Sequence, residues 1–248
     1  MASSAPVDAQ SGEQGPSAAQ EWIAGMSRAV PIVVGYVPVG LAYGVLAQKA
    51  GLSPLNIMLM SLLVYAGASQ FIAVGMFATG APAWSVIVTT LVVNLRHMLM
   101  SAALSPYLKH WQPAELAAFA FQITDETFAT HSQDLSLGTL RKTRAFAIHV
   151  TAQASWVLGT WLGLVTGQRI TDVRPLALDY ALPSMFVALL ILQIRDRVQA
   201  LVALLAGMMA VGFLLAGIEH WGVIAATLVG ATFGVGVERW IKMRSPGP

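Results

Sequence analysis

Long apolar runs recur along the whole chain after its first 20 residues, and this feature constrains the fold most strongly. A helix that crosses the hydrocarbon core of a bilayer needs about 20 apolar residues, and each run is close to that length. The strands of a membrane barrel would instead alternate apolar and polar residues. The chain is therefore predicted to be all-α, a polytopic membrane helix bundle.

The charge content excludes several classes of protein. Charged residues make up only 10% of the 248 residues, whereas soluble domains carry about 25%. A soluble enzyme or a nucleic-acid-binding protein is excluded, so the lipid bilayer is an expected partner and nucleic acid is not. There is no cysteine, and no nucleotide-binding or zinc-protease motif occurs. The sequence therefore predicts no catalytic residue, metal or cofactor.

About eight spans are predicted, with seven as the alternative, and some helices are expected to be discontinuous. Residues 1–20 are rich in Ser, Gln, Gly and Pro and predict a disordered tail. Residues 21–248 are predicted to form one transmembrane domain. The spans fall at about 27–47, 55–78, 83–104, 113–131, 145–166, 176–194, 198–216 and 221–240.

The distribution of basic residues sets the orientation. With eight spans, nine Lys and Arg residues lie on the cytoplasmic side and four lie outside, while Arg96 falls within a span. This bias follows the positive-inside rule. Both termini are therefore predicted to be cytoplasmic.

The third span carries an unusual set of polar residues. Thr90, Asn94, His97 and Ser101 follow one another at helical spacing and fall on one stripe, with Arg96 beside it. Such a stripe favours a water-filled path. The alternatives are hydrogen bonds between helices, and an Arg96 side chain that reaches the interface.

The fourth span, the most polar of the eight, contains two adjacent carboxylates, Asp125 and Glu126, between Phe121 and Phe128. One interpretation is a proton-binding site, and a second is an ion pair with Arg96. A third is a wet interfacial or re-entrant segment. In the fifth span, His149 lies near the cytoplasmic end, which favours a solvated histidine.

Backbone-breaking residues form a second class of evidence. The first span contains Gly35, Pro38 and Gly40, and the second contains small and polar residues over 67–70. Together they predict interrupted helices whose free backbone groups bind a solute near the midplane. Close helix packing is the alternative, and it is the interpretation favoured for the eighth span, where small residues recur every four positions: Gly222, Ala226, Gly230 and Gly234.

Several stretches resemble the AzlC-type permeases, the large subunits of branched-chain amino acid exporters. They are PIVVGYVPVGLAYGVLAQKAGLS (31–53), SLLVYAGASQFIAV (61–74), VVNLRHMLMSAAL (92–104), ITDETFATH (123–131) and LDYALPSMFVALL (178–190). The resemblance implies a bacterial inner-membrane protein that works with a small membrane subunit of AzlD type. It also implies ion-coupled export of branched-chain amino acids, with methionine as a further substrate. The residues that match its motifs are Asn94, Arg96, His97, Asp125, Glu126, Asp179 and Pro183.

The chain is thus predicted to be a secondary transporter that exports a small zwitterion against protons, not an enzyme. The alternatives are a non-transporting subunit of a membrane complex, a channel, and an intramembrane hydrolase using Ser69 with His97. Proton coupling is assigned to His97, Asp125 and Glu126, and Phe71 is placed in the apolar wall. The residues expected to bind substrate are Gly35, Tyr36, Pro38, Gly40, Tyr65, Gly67, Ser69, Gln70, Asn94 and Arg96.

Overall fold

The structure is a computed structural model that describes part of the chain. The described residues are 16–169, 180, 183–184, 187, 190–191, 194, 196–217, 225–226, 229–230 and 232–237. The chain forms two compact units, Met1–Leu182 and Pro183–Pro248, which are taken separately below. The prediction of one transmembrane domain stays a prediction, and Asp179 lies outside the described residues.

The described part of the first unit is all-α, as predicted. A π-helical turn, Met60–Val64, extends α2, and a 3-10 turn, Ser105–Tyr107, follows α4. Among the described residues α1 and α4 are long and apolar enough to cross a membrane, as is one helix of the second unit. The helices are α1 (Ala18–Lys49), α2 (Pro54–Leu59), α3 (Gly67–Ala78), α4 (Ala83–Leu104), α5 (Pro113–Phe121), α6 (Asp125–Ser136) and α7 (Lys142–Gly167).

Helices α1 and α7 lie side by side in the same direction and form the spine of the unit. Gly25 near the start of α1 meets Ala147 near the start of α7, and Gly44 near the end of α1 meets Gly163 near the end of α7. Glycine at these positions lets the two backbones touch, because any Cβ would collide with the facing helix. The same close approach occurs between Gly40 and Gly159.

The predicted interruption of the first span at 35–40 is wrong. Helix α1 continues from Ala18 to Lys49 with both Pro31 and Pro38 inside it. Contact with α7 along its whole length holds α1 together despite the missing proline amides, and Gly40 serves that contact. The alternative of close helix packing is therefore the one that the structure supports here.

Residues 54–78 form a hairpin rather than a crossing span, and we call it the outer hairpin. The Tyr43 ring of α1 packs on Phe71 of α3, and its hydroxyl reaches Met60 Sδ of the π-helical turn at 3.5 Å. Both arms therefore lie at the same height beside α1. The Gln70 amide also donates to Ser61 Oγ across the hairpin, at 3.3 Å. The chain reverses at Tyr65, whose φ of 44° is left-handed.

Residues 113–136 form a second hairpin, the inner hairpin, which enters from the opposite end. In α5, Glu115 accepts a hydrogen bond from Lys142 at the start of α7, and Phe119 packs on His149, about one third of the way along α7. Helix α5 therefore runs in the same direction as α7. Helix α6 then descends beside α1, because the partner of Arg28, near the start of α1, is Asp134, near the end of α6. The turn of this hairpin lies at 122–124.

Helix α4 connects the two hairpins and runs opposite to α1. Its last residue, Leu104, belongs to an apolar cluster with Trp111, Phe119 and Ala145, at the end of the bundle where α1 and α7 begin. Its first residue follows the outer hairpin after four residues. Both arms of each hairpin therefore open at one end of the bundle.

The prediction that residues 55–78 and 113–131 each cross the membrane is therefore wrong. Each hairpin arm has 9 to 12 residues, which is about 14–18 Å of helix against a hydrocarbon core of about 30 Å. Irregular backbone at that depth is tolerated where protein surrounds it. The predicted sixth and eighth spans lie largely outside the described residues.

The hairpins also change which loops share a side. Lys109 moves to the end that already holds Arg28 and the basic residues around 141–144, while Lys49 and Arg169 lie at the other end. The positive-inside rule predicts that the first of these ends faces the cytoplasm. The bias is stronger than in the eight-span arrangement, because Lys109 would otherwise lie outside.

The second unit contains α8 (Arg197–Leu215), which is apolar after its first turn. Asp196 caps its start by accepting a hydrogen bond from the Gln199 amide at 2.8 Å. Gly230 and Gly234 face Ala206 and Val202 of α8. The packing role predicted for this glycine series is therefore confirmed at these two positions.

Candidate functional site

The tips of the two hairpins are joined at the middle of the bundle by one side chain of α7. Gln153 accepts a hydrogen bond from the Gln122 amide at the inner tip, at 2.8 Å. Its own amide donates to the Leu62 carbonyl in the outer hairpin, at 3.0 Å. Both interrupted helices therefore end at the same depth, and the site lies where they meet.

Aromatic rings line this meeting point. Tyr36 of α1 packs edge-on against Tyr65 of the outer tip and against Trp156 of α7, with ring centroids 6.5 and 5.4 Å apart. All three are at most 6% exposed. The Trp156 Nε1 and the Tyr65 hydroxyl form no hydrogen bond within the described residues. Tyr36 and Tyr65, two of the residues predicted to line an apolar wall, are neighbours here, whereas Phe71 lies farther out, against Tyr43.

The outer tip offers free backbone donors. Ala66 precedes α3 and has no side chain that could cap it, and the first backbone bond of this helix runs from Gln70 N to Ala66 O. The amide groups of residues 67–69 accordingly point out of the helix start with no acceptor in the described part of the chain. Such a helix end carries a partial positive charge and attracts carboxylates.

The inner tip has the opposite character. Thr124 and Thr127 cap the start of α6 reciprocally, with bonds of 2.8 and 3.3 Å. The Tyr36 hydroxyl donates to Glu126 Oε2 at 2.6 Å and lies 2.7 Å from Thr124 Oγ1. The side chain of Thr124 thus caps the start of α6, and the carboxylate of Glu126 stands beside this cap.

Asp125 and Arg96 form an ion pair, with Nη1 and Oδ2 2.7 Å apart. This was the second of the three interpretations of the acidic pair. The pair fastens α4 to the inner tip, and Asp125 offsets the charge that Arg96 was expected to present to a substrate. Arg96 and His97 are both half-buried.

A buried hydrogen-bond network fixes the outer hairpin against α7. Ser61 Oγ lies 2.8 Å from Thr160 Oγ1, and the Gln70 amide joins the same group. Ser69 Oγ donates to the Ala66 carbonyl at 2.9 Å. Gln70 and Ser69 thus hold the hairpin in shape, and the Ser69 hydroxyl is not bonded to a histidine as a hydrolase nucleophile would be.

Other predicted residues lie away from the tips. Gly35 and Pro38 are exposed on the surface of α1. On the polar stripe of α4, Thr90 and Ser101 bond carbonyls one turn back on their own helix. The side-chain oxygen of Asn94 is buried and forms no hydrogen bond to a described residue.

The continuous buried polar stripe is on α6 instead. Thr124, Thr127, His131 and Asp134 are each less than 8% exposed, and they run from the tip to the cytoplasmic end. His149, expected to be solvated, is also fully buried and lies against His131. The spacing of three and four residues over 124–134 is visible in the sequence and could have identified this stripe. Nothing in the sequence indicates the contact between Tyr36 and Glu126.

The comparisons with known proteins identify the family. Residues 31–170 match the family described as AzlC protein, so the match begins within α1, ends just past α7 and includes both hairpins. The chain is 32% identical to the inner membrane protein YgaZ of Escherichia coli, over 85% of this chain and 86% of that one. It is 33% identical to an uncharacterized membrane protein of Archaeoglobus fulgidus, over 83% of this chain and 90% of that one.

A more distant relative has a printed function. The branched-chain amino acid transport protein AzlC of Bacillus subtilis is 22% identical, over 66% of this chain and 64% of that one. No solved structure matches the chain. The resemblance seen in the sequence motifs is thus confirmed, and the chain that folds into the two hairpins is a membrane protein of the AzlC family.

Proposed function

We propose that this chain is the large subunit of a proton-coupled exporter of branched-chain amino acids, and that the substrate binds where the two hairpin tips meet. The observation that carries the proposal is the contrast between the tips. The outer tip presents free amide donors at the start of α3, and the inner tip presents the carboxylate of Glu126. A zwitterion needs both kinds of partner.

The amino acid carboxylate is proposed to lie on the amides of residues 67–69, where the helix end supplies positive potential. Its ammonium group is proposed to lie toward Glu126. The rings of Tyr36, Tyr65 and Trp156 supply an apolar surface for the side chain. An apolar surface separates side chains by only about 1–3 kcal/mol per methylene, so methionine is accepted beside leucine, isoleucine and valine.

Proton coupling is assigned first to Glu126. Its neighbour Asp125 is engaged by Arg96, whereas Glu126 accepts a hydrogen bond from the neutral hydroxyl of Tyr36. A proton and a substrate ammonium group cannot both occupy this carboxylate. Export follows when the proton enters from outside as the amino acid leaves. His97 stays a candidate relay beside the Arg96 pair.

Two features of the proposal come from the family alone. The small AzlD-type membrane subunit is implied by the resemblance, and the substrate class is supported by the name of the Bacillus subtilis relative.

Helices interrupted near the membrane midplane, in two halves of opposite orientation, are a general design in secondary transporters, and the halves meet at a central binding site.

The test is leucine and methionine counterflow in proteoliposomes, with this chain alone and with its small partner. We expect saturable counterflow, and net transport that an imposed pH gradient accelerates. Flux without counterflow or saturation would indicate a channel. A folded complex without any flux would indicate a structural subunit, and alanine at Arg96 or Asp125 would then disrupt assembly.

A further inference from the structure

Two histidines are in direct contact inside the inner half of the bundle. His131 Nε2 of α6 lies 3.0 Å from His149 Nε2 of α7. Both side chains are 0% exposed, and the Phe119 ring of α5 packs on both, with centroids 5.0 and 4.7 Å away. The pair therefore joins all three helices of this region, and water is excluded from its shared bond.

The surrounding hydrogen bonds fix where the protons lie. His149 Nδ1 is 2.8 Å from the Gln122 carbonyl, which can only accept, so Nδ1 carries a proton. In a neutral ring, His149 Nε2 is then an acceptor. His131 must donate from its own Nε2, which leaves His131 Nδ1 as a lone pair. This atom is buried and has no partner within the described residues.

An unpartnered buried acceptor costs free energy unless something fills it. A proton added at His131 Nδ1 breaks no bond of the pair, because Nε2 still donates to His149, and it turns this acceptor into a donor. Nδ1 of His131 is therefore the nitrogen of the pair that is free to take up a proton. Its position on the buried stripe of α6 places it between Glu126, near the tip, and Asp134, near the cytoplasmic end.

The charged groups around the pair are largely compensated. On the cytoplasmic side Asp134 pairs with Arg28 of α1, and Arg144 of α7 pairs with Glu21 of α1. On α5, Glu115 pairs with Lys142. On the tip side Glu126 is bonded to Tyr36, and Asp125 pairs with Arg96. Among the described acids near the pair, Glu126 has no ion-pair partner, and it lies one and a half turns from His131.

We propose that His131 and His149 form a second proton-binding site, which passes the coupling proton between Glu126 and the cytoplasm. The inference rests on the proposed function for the identity of the substrate whose transport the proton drives. Uptake forms an N–H bond at His131 Nδ1. The Nε2 proton of His131 then moves to His149 Nε2, so that the positive charge passes to His149 while no bond to carbon changes. The proton taken up comes from Glu126, where a carboxyl O–H bond breaks. For release the Nε2 proton returns to His131, and the Nδ1–H bond then breaks as the proton passes to the cytoplasmic side.

The test uses substitutions that keep the structural hydrogen bonds. In His149→Asn the amide still donates to the Gln122 carbonyl, and in His131→Gln the amide still donates toward His149. Neither amide binds a proton. His110→Gln, in the exposed loop before α5, is the matched control. Wild type and variants are compared for leucine counterflow without a gradient and for transport driven by a pH gradient.

We expect gradient-driven transport to fall about tenfold more than counterflow in both variants, because counterflow moves no net proton. His110→Gln should leave the ratio of the two rates at its wild-type value. Equal loss of both rates in folded variants would overturn the proposal, since it would show a purely structural pair. Unchanged gradient-driven transport would overturn it as well.

A second measurement, made on the wild-type protein, tests the proposal even if the variants fail to fold. The ring nitrogens of His131 and His149 are observed by NMR in the wild-type complex as the pH is lowered, with and without leucine. Uptake of one proton by the pair, shifted by leucine, supports the proposal. A pair that stays neutral wherever the protein is folded overturns it. If wild type shows no leucine counterflow, the proposed function fails, and the titration without leucine still tests the pair.

Discussion

Replacing Gly163 with leucine is expected to destabilise the fold strongly. A Cβ at this position would collide with the Leu41 carbonyl and meet the Cα of Gly44, both backbone atoms of α1. No rotamer change relieves such a contact, so α1 and α7 would have to separate. Overpacking of about 3 kcal/mol would lower the unfolding midpoint by about 6–12 °C. Thermal unfolding followed by size exclusion in detergent measures it.

Gly35→Leu is the matched control for this prediction. Gly35 lies on α1, is exposed, and has no atom within 4 Å of the position its Cβ would take. The variant should fold like wild type, because leucine there faces lipid and favours the helix. Equal behaviour of the two leucine variants would contradict the backbone contact of α1 with α7.

Replacing Glu126 with glutamine is expected to abolish the acceleration of transport by a pH gradient. Glutamine has the same shape and can still accept the hydrogen bond from Tyr36, but it does not bind a proton. Coupling depends on a group that changes its protonation during the cycle, so the rate with the gradient should fall to the rate without it. Initial rates of leucine uptake into proteoliposomes with and without the gradient provide the measurement.

Glu115→Gln serves as the control for that substitution. Glu115 is an acid at the cytoplasmic end of α5, paired with Lys142 and remote from the hairpin tips. Its variant should respond to the gradient like wild type. If Glu126→Gln also kept the full response, the coupling role of Glu126 would be refuted, and the His131–His149 pair would then remain to be tested separately.

The membrane location and helical class could be predicted from the sequence because they depend on composition and on the length of apolar runs. The contact of Arg96 with Asp125 could be named as an alternative, since a buried guanidinium needs an anion. The reversal of residues 54–78 could not be predicted. Two half-length helices have the same hydropathy whether they continue across the bilayer or fold back.

The turns themselves give only weak local signals. The outer hairpin reverses at Tyr65, a non-glycine residue in a left-handed conformation, and such positions have no reliable sequence signature. Gly40 and its neighbours predict an interruption of α1 as readily as close packing of α1 on α7, because glycine is typical of both. The function of the α6 stripe depends on contacts with α1 and α7, which spacing alone does not give.

The opposed hairpins are tested most directly by labelling single cysteines, which the chain allows because it has no cysteine of its own. Thr79→Cys, Lys109→Cys, Lys49→Cys and Ser136→Cys are exposed to a membrane-impermeant thiol reagent in intact cells and in opened cells. The account predicts that position 79 reacts from the same side as position 49, and position 109 from the same side as position 136. If position 79 were labelled from the same side as position 136, and position 109 from the same side as position 49, both hairpin segments would cross the membrane. That result would contradict the account.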